Sequence, residues 1–528
     1  MSNNFKELVL AGYQGWFATP ANNIIKRWSH WCKRGDPQPG GYTSFELYPD
    51  LSEYKNEDLH ETGYADLHGG GKSLLYDSDR DGVVGLHFQW MEEYGLDGIA
   101  LQRFLSDIQS KVNLKWRNST ALRVKKSSEA AGKFFYIMYD ITNYKKGNQL
   151  VEDILDDVEE SLKKELKLLD SPGYARQDGR PVIAIWGLGF PHIHKNLHVT
   201  KEDAIRLIRK LQDSHGCYVA GGVPYCWRLG ENDSIPGWLD VYKSFDMLIP
   251  WSVGRYPGMD DVNEHFERMW KPDKEFCAAE KIDLQRVIYP GFAWSNKKEA
   301  IEQEREISSS RHLSGTRQAP QNQVPRLAGK FFWRQAFHVA NLHLDTGAFI
   351  AMFDEFDEGT VIAKAAKNKM GIPKDQYFLT LDADKDRLSS DFYLRIAAEA
   401  AKMIKGLRPI TEEVPVSHLN YKVHVSRGYP AILGRGVDPD GLKTYVKFLE
   451  TGGTLLQFCQ QLADSDEFKN NRQHLPAKDL AAGLYQEILK RPADPGGLES
   501  KINAIKEGKI AQQAANMLSS QEFFDKFM

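Results

Sequence analysis

The stretch FDEFDEGT at 353–360 sets Glu355 and Glu358 three residues apart, with Asp354 and Asp357 alternating with them. Carboxylates that close repel one another, and the repulsion raises a pKa. A carboxyl still protonated near neutral pH beside an ionised one suits glycosidic cleavage. There an acid protonates the leaving oxygen while a second carboxylate acts at the anomeric end. In a helical or 3₁₀ turn, residues three apart point to similar sides, so Glu355 and Glu358 are the candidate catalytic pair. Asp354 and Asp357 have a second use as caps on a following helix. Asp354 is also a candidate substrate contact.

Sugars present C–H faces that stack on aromatic rings and hydroxyls that carboxylates, amides and guanidinium groups bind. Many of the 12 tryptophans fall where a strand is predicted to end or in loops. The candidate sugar-binding set is Trp16, Gln102, Arg103, Tyr139, Asp140, Trp186, Trp251, Arg255, Trp294, Trp333 and Arg334. Tyr13, Trp31, Trp227 and again Trp333 serve equally well as packing. The pairs His192/His194 and His338/His343 lack the H-E-x-x-H frame, so the reading calls for no metal and no cofactor.

These residues need a scaffold that brings distant chain segments to one place. Eight short runs read as strands: 8–13, 97–104, 134–140, 181–187, 217–224, 246–251, 286–292 and 348–354. Most are continuously apolar, as parallel strands covered on both faces are. Amphipathic helical patterns such as VEDILDDVEESLKKELKLL lie between them. The fold expected is α/β, a (β/α)8 TIM barrel over 1–408, with its site at the C-terminal ends of the strands. An open doubly wound sheet is the rival, but no Gly-rich phosphate fingerprint follows the first strand.

A small all-α tandem-repeat region is expected over 425–528. YPAILGRGVDPDGLKTYVKFLETGG, beginning at Tyr429, is echoed by YQEILKRPADPGGLESKINAIKEGK from Tyr485. The shared pattern predicts helix, D-P-x-G turn, helix, short turn and helix, giving modules at 429–470 and 485–527.

A net charge of −4 without a Lys/Arg stripe argues against nucleic acid as a partner. No apolar run reaches the roughly 20 residues of a membrane span. The five cysteines follow neither zinc spacing nor a disulfide framework, which points to a reducing compartment. With no basic segment leading into an apolar one at the N-terminus, the expected location is cytoplasmic, or outside the cell by a route without a cleaved signal.

From GYQGWF to AAEAAKMIKG the chain resembles the bacterial glycoside hydrolase family 71/99-like proteins, relatives of the family 99 endo-α-mannosidases. The resemblance rests on GYQGWF, LYPDLSEY, IALQRF, YDIT, IAIWGLGF, GGVPYCWR, IPWSVGRY, YPGFAWSN, KFFWRQ and AMFDEFDEGT. It implies a (β/α)8 barrel and a glycosidase acting on an α-linked oligo- or polysaccharide, mannoside-like or related. Family 99 carries E-x-x-E-G-T after its last strand, which matches Glu355 through Thr360. It has Trp-His between the glutamates where this chain has Phe356-Asp357. The match makes Glu358 the acid/base and Glu355 the base on the sugar's own 2-hydroxyl, with retention of configuration. The tail resembles the bacterial domain of unknown function 4214, and its expected role is to bind a glycan, a protein partner or the barrel. The other function class is a non-catalytic glycan-binding or surface-polysaccharide assembly protein on the same barrel.

Overall fold

Each of the eight apolar runs forms a strand in the computed structural model, which describes residues 4–32, 43–195, 197–296 and 319–528. They are β1 (Leu10–Tyr13), β2 (Gly98–Phe104), β3 (Phe134–Asp140), β4 (Arg180–Trp186), β5 (Tyr218–Val223), β6 (Met247–Pro250), β7 (Asp283–Leu284 and Arg286–Ile288) and β8 (Ala348–Ile350). Neighbouring strands run parallel from β8 through β1 to β6. The two pieces of β7 complete the ring. Asp283 pairs with Met247 of β6, and Arg286, three residues on, pairs with Ala348 of β8. One segment thus bonds to both neighbours and closes the sheet into a (β/α)8 barrel. The seventh and eighth runs stop short of their expected ends, at Ile288 and Ile350, because the residues beyond leave the ladder to build the mouth.

The strands are apolar throughout because helices cover their outer faces. Among these are α1 (Asp81–Tyr94), α2 (Lys111–Ala131), α3 (Leu150–Asp156, continued by π-helical turns over Asp157–Glu165) and α4 (Lys201–Asp213). They are followed by α5 (Lys271–Glu280), α6 (Lys330–Asn341) and α7 (Phe392–Ile404). Local chemistry sets their ends. Ser110 and Thr200 cap α2 and α4 by accepting the Asn113 and Asp203 N–H groups, and Gly132 ends α2 in the left-handed region at φ 61°.

Two compact units divide the chain: residues 1–384 with 393–415, and residues 385–392 with 416–528. The second unit is helical, with its own core around Val425, Phe458, Leu484, Ile488, Ala514 and Phe523. Its two copies are built alike. In each, the first helix starts two turns upstream of the repeated tyrosine, at Tyr421 and Ala477. Asp438 and Asp494 cap the next helix by accepting the Gly441 and Gly497 N–H groups at 2.8 and 2.7 Å. A Cβ on Gly441 or Gly497 would stand 2.7 or 2.3 Å from the Tyr429 or Tyr485 hydroxyl, so the repeated glycine admits the repeated tyrosine. Arg435 and Arg491 lie over those tyrosine rings and make two-pronged bonds to Glu467 and Glu522. A further short helix, Asp466–Asn471 and Gln521–Phe527, ends each copy. Among the described residues, no helix is long and apolar enough to cross a membrane.

Candidate active site

After Ile350 the chain forms turns, and no helix follows Asp354 or Asp357 for either to cap. The loop is pinned instead from several parts of the chain. Phe353 N–H donates to the Gly12 carbonyl (2.7 Å), Glu46 N–H to the Phe356 carbonyl (2.8 Å), and Ala293 N–H to the Glu358 carbonyl (3.0 Å). Asp354, fully buried, accepts the backbone N–H groups of Gln14 (2.6 Å) and Gly15 (2.9 Å). Arg117 of α2 donates to the carbonyls of the same Gln14 and Gly15, and to that of Gln102. The β1 loop is therefore held by its N–H groups from one side and its C=O groups from the other. The expectation that Asp354 touches substrate gives way: both its oxygens serve backbone, and burial leaves it no open face.

The two glutamates stand in different surroundings. Glu355 is buried, and its oxygens accept the Gln14 side-chain amide (2.6 Å) and the Asp357 N–H (3.0 Å). Glu358 is half-buried. Asp140, at the end of β3, lies close enough for Glu358 to add to its pKa. Burial is the larger cause, and together with the charge of Asp107 it pushes Asp140 up to about 7, against the Thr142 hydrogen bonds. Burial also pushes Asp354 up to about 7, opposed by its two N–H donors and Arg117. For both aspartates desolvation comes ahead of like-charge repulsion as the cause of the shift.

Alternation along the strands sorts the other candidates. Gln102 and Met138 meet inside the barrel, with the amide donating to the Met138 sulfur (3.3 Å). Their neighbours Arg103 and Tyr139 must then point to the helix layer. There Arg103 makes a two-pronged bond to Asp157 (both 2.6 Å) and a bond to Asn118 (2.9 Å), and the Tyr139 hydroxyl donates to Asp157 (2.6 Å). Arg103 and Tyr139 are corrected from sugar contacts to a buried polar tie between sheet and helices. Trp333 and Arg334 are corrected likewise. They sit on α6, where Trp333 is fully buried with its indole N–H on the Thr411 carbonyl, and Arg334 pairs with Glu412 (3.2 Å). Tyr13, Trp31 and Trp227 are core residues.

Two groups remain at the mouth. Trp186 and Trp251, each partly exposed, meet edge to face at 5.6 Å, with Phe190 stacked on Trp186. A Cβ on Gly222 would lie 2.4 Å from the Trp186 ring, so that glycine makes room for it. Arg255, in the loop after β6, is held by Asp233 (2.9 Å), whose carboxylate also orders Tyr225 and Cys226 through their N–H groups. Trp294, partly exposed, follows Ala293, whose N–H holds the Glu358 carbonyl. The second group is Trp16, His30 and Asp357. Trp16 is buried with its face against the His30 ring, 3.7 Å away and 5° from parallel, and His30 Nδ1 bonds Asp357 at 2.8 Å. Trp16 thus backs an imidazole where a sugar platform was expected.

The reading of residue types alone missed Gln14, His30, Asp107 and Arg117. Gln14 and His30 lie inside GYQGWF and RWSHW, which attracted notice for their aromatics. Among the described residues no three His, Cys, Asp or Glu side chains gather as a metal site. His194 accepts the Gly189 N–H, and His338 bonds Asn263.

Comparison with known proteins adds the following. Residues 459–527 match the model of a domain of unknown function, DUF4214. No curated protein matches the chain. A solved structure of the GH99 endo-α-mannosidase from Bacteroides thetaiotaomicron superposes with a TM-score of 0.52 at 12% identity, over 76% of this chain and 99% of that one. The same enzyme in complex with bis-tris propane gives 0.51 at 12% identity, over 77% and 100%. At that identity the likeness is one of fold: this chain has a TIM-barrel architecture like that enzyme's, with a helical region after it.

Proposed function

We propose that this chain is a glycoside hydrolase that cleaves an α-linked glycan, mannoside-like or related, with Glu355 and Glu358 as its catalytic pair. The observation that carries this reading is the contrast between the two glutamates. Glu355 is fixed by donors on both oxygens, while Glu358 stands half-buried on the same loop, at the C-terminal end of the barrel. A fixed acceptor suits proton abstraction, and a more open carboxyl suits exchange of a proton with a leaving group and with water.

The chemistry then runs in two steps. Glu355 takes the proton of the sugar's 2-hydroxyl as that oxygen attacks the anomeric carbon, and Glu358 protonates the departing glycosidic oxygen. Water, deprotonated by Glu358, opens the resulting 1,2-anhydro sugar, and Glu355 returns its proton to the 2-oxygen. Two inversions give net retention. Trp186, Trp251 and Trp294 supply stacking faces, and Gln102, Asp140 and Arg255 supply hydroxyl contacts. The helical repeats bind a glycan or a protein partner. The test is a panel of polysaccharides and aryl glycosides, with product anomers read by NMR. Release of an α-configured product from an α-linked substrate is expected. A β-configured first product, or no cleavage across mannans and related α-glycans, would overturn the proposal.

A further inference from the structure

We infer that His30 is a substrate-contacting residue, presenting Nε2 to a sugar hydroxyl from a ring fixed by Asp357 and Trp16. This rests on the glycan-cleaving reading above and assigns a contact to the same site. A carboxylate oxygen accepts, so Nδ1 carries the hydrogen of the 2.8 Å bond to Asp357 and Nε2 is the ring nitrogen left for a ligand. The parallel indole of Trp16 fixes the plane of the ring, and Asp357, only 2% exposed, fixes its rotation. The imidazole is nevertheless 33% exposed, and among the described residues nothing bonds Nε2.

Three further observations point to a ligand and away from simple packing. His30 has left-handed backbone at φ 62°, uncommon for a residue other than glycine, and the Ser44 hydroxyl holds it there by donating to its carbonyl (2.6 Å). The Trp16 indole N–H and Asp357 Oδ1 are both buried without a hydrogen-bond partner among the described residues. Buried polar atoms in folded proteins seldom stay unpaired, and here two of them flank the same imidazole. The cluster is also tied to the catalytic pair, since the Asp357 N–H donates to Glu355. His30 and Asp357 are 327 residues apart in the chain, so the contact exists only once the barrel has closed.

The experiment uses the full chain with ¹⁵N-labelled histidine and α-linked manno-oligosaccharides as the probe, with kinetics of wild type and His30→Gln in parallel. His30→Gln identifies the His30 signals by their loss. In the wild type the spectrum should show an Nδ1–H tautomer, and the oligosaccharide should shift the Nε2 signal. In the variant KM should rise roughly 3- to 10-fold, the weight of one hydrogen bond, with kcat within about twofold. Cleavage with an unmoved Nε2 signal and an unchanged KM would overturn the assignment and leave the hydrolase reading standing. A shifted Nε2 signal without cleavage would do the reverse. No cleavage and no shift would remove both. Should His30→Gln fail to fold, Asp357→Asn identifies the signals by their displacement and the wild-type titration decides.

Discussion

Glu355 and Glu358 are told apart by their neighbours, and their variants should be told apart by leaving group. Glu358→Gln should nearly abolish turnover of substrates with poor leaving groups and spare activated aryl glycosides, which need little protonation. Glu355→Gln should be severe for every substrate, because each passes through attack by the 2-oxygen. Equal losses in both variants across a leaving-group series would contradict these roles. Asp140 carries a different prediction. Its folded pKa, near 7, lies above its unfolded value, so between pH 4 and 7 the folded chain holds a proton that the unfolded chain releases. Its contribution is therefore most favourable below pH 4 and is lost as pH rises through 7, at about 1.4 kcal/mol per unit. Asp140→Asn cannot ionise and keeps an oxygen for the Thr142 N–H, so its stability relative to wild type should climb between pH 4.5 and pH 8. Denaturant melts at the two pH values measure this, and a flat difference would refute it.

At the scale of elements, β2 and β3 each present one polar neighbour to the barrel interior and one to the helix layer. Arg103, Tyr139, Asn118 and Asp157 join two strands to α2 and to the π-helical turns after α3. Arg103→Ala strips Asp157 of its counter-charge in a buried place, and such losses cost about 3–5 kcal/mol. The expected outcome is a large fall in stability with KM unchanged for the molecules that fold. A raised KM without loss of stability would restore Arg103 to the sugar site. The π-helical stretch also has a local purpose, since it carries Asp157 to where Arg103 and Tyr139 converge.

At the scale of the molecule, the helical unit has a core that the barrel strands do not share. Phe458 is fully buried in it, and Phe458→Ala should destabilise that unit by about 3–5 kcal/mol. Calorimetry should then show one transition moved down and a second, from the barrel, in place, with glycosidase rates unchanged at temperatures below both. A single transition that shifts as a whole would mean the two units unfold together.

The sequence by itself determined the strands, the tandem repeats and the spacing of the glutamate pair, because each is written in neighbouring residues. Apolar runs, D-P-x-G turns and E-x-x-E spacing are all local signals. The facing of β2 and β3 was half legible: strand alternation forbids Gln102 with Arg103, or Tyr139 with Asp140, from sharing a face. Which member faces inward was not, because strands buried on both sides lack the polar–apolar alternation that marks an outside. Nor did any local pattern say that Asp354 would cap the β1 loop, that Trp333 would pack on the far side of α6, or that His30 would meet Asp357. Those outcomes join residues separated by most of the chain, and they depend on closing β8 against β1. Only the folded barrel brings the ends of the first and last strands together, and with them Gln14 against Glu355 and His30 against Asp357.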